Sequence, residues 1–213
     1  MSVKMEHKPT NDCISTRCAV IADKISDRQD DIMDFLRTRS VAPYIWLEEN
    51  YLRCNVQTDA NFRKTFGGYY RMRFVTQEYR DAFFALFEEI KAKQPLSFPE
   101  IAQKLFAVNQ KHEFSFITKM MHTIEPNRPI YDSQVRAILN IRRKQVKTLE
   151  EKLAQDVEIL EMLQELYREL ETSHRIDAPL QRFDRLFLDC KISTTKKIDF
   201  ILWALGAVEL KKG

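Results

Sequence analysis

Apolar residues recur along most of the chain with the three-to-four-residue spacing of amphipathic helices. The two longest patterns cover residues 14–38 and 148–172. Shorter patterns begin near residues that commonly start helices, namely Pro43, Thr76, Ser97, Pro179 and Ser193. No segment shows a convincing strand ladder. The pattern therefore predicts an all-α chain with about nine or ten helices in a compact helical domain.

The polar residues 1–12 are expected to form a loose tail, and residues 13–213 a single all-α domain. Two helical lobes with a cleft lined by residues 113–136 are also compatible with the pattern. Gly67-Gly68, the one double glycine, is interpreted as a break between elements. The apolar face of residues 148–172 spans roughly three heptads, near the lower limit for a coiled coil. We therefore expect it to pack within its own domain, and a monomer rather than a dimer.

The composition narrows the class of protein. Hydrophobic residues make up 44% of the 213, enough to fill a core, while only 4 are glycine. Cys13, Cys18, Cys54 and Cys190 lack the spacing of zinc or iron–sulfur sites, so no metal or cofactor is predicted. No apolar run approaches the roughly 20 residues of a membrane span, and the N-terminus lacks the apolar core of a signal peptide. A cytoplasmic protein without a membrane partner is expected.

Charge is unevenly distributed, although the formal net charge is only +3. Residues 61–75 and 133–147 carry several cations and no acid, whereas residues 148–172 are strongly acidic. Basic stretches can contact phosphates, and aromatic residues among cations can stack on bases. Alternatively, these stretches are solvated helix surfaces, and the aromatic pair after Gly68 anchors a loop to the core. The candidate nucleic-acid contacts are Tyr70, Arg71, Arg73, Arg136, Arg142, Arg143 and Lys144.

A helix predicted over residues 114–125 is apolar around most of its circumference. Its narrow polar stripe carries Ser115, Lys119 and His122, which must then face a cleft, a partner or water. A buried Lys119 would have a lowered pKa and a nucleophilic neutral amine. The alternatives are that Lys119 reaches solvent or pairs with a carboxylate. His122 is a candidate proton shuttle or a hydrogen-bonded structural residue, and Ser115 an accessory site residue.

Asp132 follows a turn constrained by Pro126 and Pro129 and stands where the next helix begins. Asp is among the best N-cap residues, because its carboxylate accepts hydrogen bonds from the first backbone N–H groups. Capping alone accounts for Asp132. It is also compatible with catalysis, since a helix N-terminus orients a carboxylate and is expected to keep it ionised.

The residues Ser115, Lys119, Pro126 and the run Pro129-Ile-Tyr-Asp-Ser-x-Val135 resemble the catalytic region of the helix-hairpin-helix DNA glycosylase superfamily. The resemblance is confined to this region, and the two-lobed helical fold of that family agrees with an all-α chain. Residues 110–114 contain no glycine, whereas the family hairpin has Gly-x-Gly before the lysine. The spacing from Lys119 to Asp132 is also shorter than is usual in the family.

The resemblance implies that Asp132 activates the nucleophile and stabilises the oxocarbenium-like sugar. It implies that Lys119 attacks C1′ and forms a Schiff base. The partner would be duplex DNA with the target base flipped out, as chemistry on a stacked base requires. The function expected is therefore that of a base-excision-type DNA glycosylase, with or without lyase activity. The alternative is a non-catalytic helical module that binds nucleic acid or protein, with Lys119–Asp132 as a structural ion pair.

Overall fold

A computed structural model describes residues 11–39, 41–93, 96–188 and 190–209. These residues form eleven helices and no strand, which confirms the all-α prediction. The helices in chain order are α1 (Asn11–Asp27), α2 (Gln29–Arg37), α3 (Ala42–Tyr51), α4 (Ala60–Tyr69), α5 (Gln77–Ala92), α6 (Phe98–Asn109), α7 (Phe114–Ile124), α8 (Ser133–Ile138), α9 (Leu149–Thr172), α10 (Asp177–Leu186) and α11 (Thr194–Glu209).

Two helix boundaries differ from the sequence-based expectation. The helix predicted over residues 14–38 divides at Arg28, which separates α1 from α2. Gly67-Gly68 does not break the chain but lies inside α4, whose N-cap Asp59 accepts a hydrogen bond from the Phe62 N–H. Fully buried apolar residues on α4 hold that helix against the core, and this packing outweighs the low helix propensity of glycine. Most of the predicted N-terminal tail, residues 1–10, lies outside the described residues.

The core has two halves, one around α4 and α5 and the other around α11. Rings of Phe62 and Phe66 on α4 pack against rings of Phe83, Phe84 and Phe87 on α5. In the other half, α11 is buried along most of its length and packs on α2, α8 and α9. The apolar face of α9 packs against α1, so another helix of the same chain covers this apolar surface. No helix formed by the described residues is long and apolar enough to cross a membrane.

The turn between α6 and α7 positions the lysine helix. Ser97 opens α6, as predicted, and forms a capping box with Glu100. The helix ends at Gln110, whose φ of 56° lies in the left-handed region usually occupied by glycine. The Gln110 N–H donates to the Phe106 carbonyl over 2.8 Å, which closes the helix end. The chain therefore turns from α6 into α7 although residues 110–113 contain no glycine.

Candidate active-site cleft

A cleft of about 540 Å³ opens between the end of α4, α7, the start of α8 and α11. It brings together residues that are far apart in sequence, because α11 packs against α8. Six of the predicted site residues line it, namely Tyr70, Arg71, Ser115, Lys119, Asp132 and Arg136.

Lys119 projects from α7 into this cleft. Its Nζ lies 5.7 Å from the centroid of the Tyr70 ring and 5.1 Å from that of Phe116. Within the described residues the Lys119 Nζ makes no hydrogen bond and no ion pair. Burial lowers the pKa of Lys119 below its usual value, and the Asp132 and Asp199 carboxylates offset only part of that effect. A larger share of the Lys119 amine is therefore neutral at a given pH than for a solvent-exposed lysine.

Asp132 is the N-cap of α8, as the turn chemistry predicts. Its Oδ1 accepts hydrogen bonds from the backbone N–H groups of Gln134 and Val135, each over 2.9 Å. Its Oδ2 has no hydrogen-bond partner among the described residues. Burial raises the pKa of Asp132, and the nearby Asp199 carboxylate raises it further. Burial and the Asp199 carboxylate therefore outweigh the two backbone hydrogen bonds, which by themselves lower the pKa of Asp132.

Lys119 and Asp132 do not form a direct ion pair in the described residues. Over the described ranges, no nitrogen–oxygen contact within 4.0 Å joins the two side chains. Each nevertheless affects the pKa of the other through the cleft, since Asp132 raises that of Lys119 and Lys119 lowers that of Asp132. The two side chains line the same cavity without touching each other.

A second lysine and aspartate on α11 were not predicted from the sequence. Lys196 Nζ lies 2.6 Å from Asp199 Oδ2, and both residues line the cleft, only 2% and 6% exposed. The Lys196 ammonium also lies 4.8 Å from the Tyr44 ring centroid and 4.7 Å from that of Phe200. Burial alone lowers the pKa of Lys196, but the contact with Asp199 reverses the direction and raises it. A signal for this pair was present, because Lys196 and Asp199 stand three residues apart in the first turns of a helix whose following residues are apolar.

His122 lies behind the cleft and does not line it. The ring is fully buried, with Nδ1 donating to the Arg128 carbonyl over 2.7 Å and Nε2 lying 3.2 Å from the Tyr44 hydroxyl. Burial, aided by the charge of Lys196, lowers the pKa of His122 to about 3. The ring is thus neutral at physiological pH. These contacts agree with the structural alternative for His122 rather than with proton transfer in the cleft.

The candidate cationic residues divide into two groups. Arg71 and Arg136 are exposed at the cleft, where Arg39 and Trp203, which were not predicted, join them. Arg143 instead forms an ion pair with the fully buried Asp156 on α9. The remaining three are exposed and do not line the cleft, namely Arg73, Arg142 and Lys144.

The aromatic candidate Tyr70 has two roles. Its buried ring packs against Tyr69 and Phe66, each with centroids 4.7 Å apart, so it anchors the end of α4 to the core. The same ring lines the cleft beside Lys119. Arg71 follows with φ 55°, a left-handed conformation that turns the chain out of α4 towards the rim.

Comparison of the chain with models of known protein families, with curated protein sequences and with solved structures gives no match. No group of His, Cys, Asp and Glu residues able to hold a metal occurs in the part of the chain that the structure describes.

Proposed function

We propose that this protein is a DNA glycosylase-like enzyme that acts on a damaged nucleotide through Lys119 and Asp132. One observation carries the proposal. A lysine with a lowered pKa and a carboxylate with an unbonded oxygen line one cleft, and neither is held in an ion pair. An amine nucleophile beside an acceptor for its proton is the arrangement that covalent catalysis requires.

In the proposed reaction the neutral Lys119 amine attacks C1′ of the target nucleotide. The bond between C1′ and the base breaks, and the base leaves with the bonding electron pair. The new C1′–nitrogen bond makes the amine cationic, and Asp132 accepts its proton through Oδ2. The bond between C1′ and the ring oxygen O4′ then breaks as the nitrogen lone pair forms the C=N bond of the protonated Schiff base. The electron pair of the broken bond goes to O4′, which takes up the proton held by Asp132. Asp132 remains oriented throughout, because the two backbone N–H groups of α8 hold its Oδ1.

The walls of the cleft suit an extruded nucleotide. Its volume of about 540 Å³ falls within the usual range of roughly 300–1,000 Å³ for sites that take small molecules. Tyr70, Phe116 and Trp203 supply aromatic surface for a base that has left the stack. Arg71 and Arg136 supply exposed positive charge for the flanking phosphates.

Borohydride trapping tests the proposal, because the reagent reduces a Schiff base to a stable secondary amine. The protein is incubated with a panel of lesion-containing and abasic duplexes, and the cross-linked product is measured by gel shift and mass spectrometry. We expect Lys119→Gln to abolish the adduct and Asp132→Asn to slow its formation. The matched control is Lys111→Gln, which alters an exposed lysine of the α6–α7 turn and should leave trapping unchanged.

Two outcomes would overturn the proposal. The first is undiminished trapping in Lys119→Gln. The second is the absence of both base release and adduct across the whole panel. Retained DNA binding in that second case would favour the non-catalytic nucleic-acid-binding module. In such a module Asp132 only caps α8.

A further inference from the structure

A groove between α3 and α4 adjoins the active-site cleft. Its volume is about 870 Å³, and Trp46 of α3 lines it together with Lys64, Thr65 and Gly68 of α4. Residues 61, 64, 65 and 68 recur every three or four positions, so one face of α4 forms a wall of the groove. Tyr69 lines both the groove and the cleft, and the two are therefore neighbours across a single side chain.

The chemistry of the groove favours a polyanion with flat rings. Trp46 packs against Phe62 with ring centroids 6.3 Å apart and is only half-buried, which leaves part of the indole open to the groove. Lys64 is exposed and forms no ion pair with the described residues. No acidic residue lines the described part of the groove. An aromatic platform beside an uncompensated cation is how proteins hold single-stranded nucleic acid without reading its sequence.

Gly68 keeps the groove open. A Cβ built at this position would meet no atom within 4 Å, so the backbone faces empty space. The residue is helical and exposed, and its φ is not positive, so the conformation itself does not require glycine. Glycine within a helix is less stable than alanine, so its presence here is not explained by helix stability. A larger side chain at position 68 should therefore fill the groove without disturbing the fold.

We propose that the α3–α4 groove binds the nucleotide that flanks the target on the same DNA strand, with its base on Trp46 and its phosphate near Lys64. This inference rests on the proposed function, since the target itself would occupy the cleft. The groove thus gives the protein a preference for DNA whose strand is already separated next to the lesion.

The positions of the two tryptophans allow binding in the groove to be measured separately from binding in the cleft. Trp46 lines the groove and Trp203 the cleft, and the chain has only 2 tryptophans. In the full-length Trp203→Phe variant, Trp46 is the sole tryptophan, and an oligo(dT) of about ten nucleotides should quench its emission on binding. Poly-glutamate serves as the control polyanion without bases and should not quench it.

Blocking the groove provides the second measurement. We expect Gly68→Leu to weaken oligo(dT) binding roughly tenfold, while the matched Gly68→Ala stays within about twofold of the parent protein. Circular dichroism should show both variants as helical as the parent. The proposal is overturned if Gly68→Leu binds as the parent does, if the oligonucleotide fails to quench Trp46, or if poly-glutamate quenches it equally. Borohydride trapping through Lys119 that persists in Gly68→Leu would leave the proposed catalytic function standing when the groove fails.

Discussion

Lys119 with Asp132 and Lys196 with Asp199 place the same two side-chain types in one cleft, but the surrounding structure holds the two pairs differently. Lys196 touches Asp199 at 2.6 Å, and both are almost fully buried. Lys119 and Asp132 come from separate helices, remain partly exposed and form no ion pair with any described residue. The pKa of Lys196 is raised, whereas that of Lys119 is lowered.

This contrast shows that burial alone does not set the protonation of a lysine. The ammonium groups of Lys119 and Lys196 are both shielded from water, and in both cases this desolvation lowers the pKa. Only Lys196 has a carboxylate in contact that returns the lost stabilisation. The same cleft therefore contains one lysine whose ammonium form a contacting carboxylate stabilises, and one whose ammonium form burial disfavours.

The largest expected effect comes from breaking the ion pair between Lys196 and Asp199, which we call the closed pair; Lys119 and Asp132, which do not touch, are the open pair. Asp199→Asn leaves the Lys196 ammonium among aromatic rings without a counter-charge, and removal of one partner of a buried pair typically costs about 3–5 kcal/mol. We expect a loss of that size in the free energy of unfolding, measured by urea denaturation. The matched control is Lys197→Met, the next residue on α11, whose partner Asp184 is 54% exposed. Lys197→Met should lower the free energy of unfolding by no more than about 1 kcal/mol.

Equal losses in Asp199→Asn and Lys197→Met would contradict the distinction between a buried and a solvated pair. A double variant, Lys196→Met with Asp199→Leu, separates charge from packing. It should recover most of the lost stability, since a hydrophobic replacement of a buried ion pair is often neutral or stabilising.

The sequence predicted the open pair but not the closed one, and the reason is physical. Lys119 and Asp132 are joined by a short proline-constrained turn, so local rules for helices and caps suffice to bring them together. Lys196 reaches the cleft only because α11 packs across α8, and no local rule gives that contact. Helical periodicity identifies the apolar positions of α11 but does not show which of its charged residues lie in a cleft.

Arg143 illustrates a second limit of sequence reasoning. It belongs to a basic stretch that suggested nucleic-acid contact, and the acidic stretch begins at residue 148. In the folded chain the two stretches meet, and Arg143 pairs with Asp156. A run of one charge in sequence therefore does not establish a free surface charge. Arg136, from the same run, does reach the cleft.

A smaller effect is expected when the open pair loses its carboxylate. Asp132→Ala removes the cap of α8, and loss of such a cap typically costs about 1 kcal/mol. Asp132→Asn should retain most of this stability, because asparagine also caps well. The matched control is Asp59→Ala, which removes the cap of α4 away from the cleft and should lower the free energy of unfolding similarly without affecting trapping. A loss for Asp132→Ala as large as that for Asp199→Asn would instead indicate a structural ion pair.

The smallest effect is a difference in the pH dependence of stability. The folded-state pKa of Lys119 lies below its usual value of 10.5, so its ammonium form is penalised in the folded state. As the pH rises from that lowered pKa towards 10.5, the folded state releases the proton before the unfolded state does, and the penalty is relieved. The stability of the parent protein relative to Lys119→Met should therefore increase with pH in this window.

Lys196 should behave in the opposite way. Its folded-state pKa lies above 10.5, so its contribution is fully present below that pH and is lost only as the pH rises through the raised value. Urea denaturation between about pH 8 and pH 10 distinguishes the two lysines. The difference between the parent and Lys119→Met should rise across this range, while that between the parent and the Lys196→Met, Asp199→Leu double variant should stay level. A level difference for Lys119→Met would mean that its amine is charged like that of Lys196, and the contrast between the two pairs would disappear.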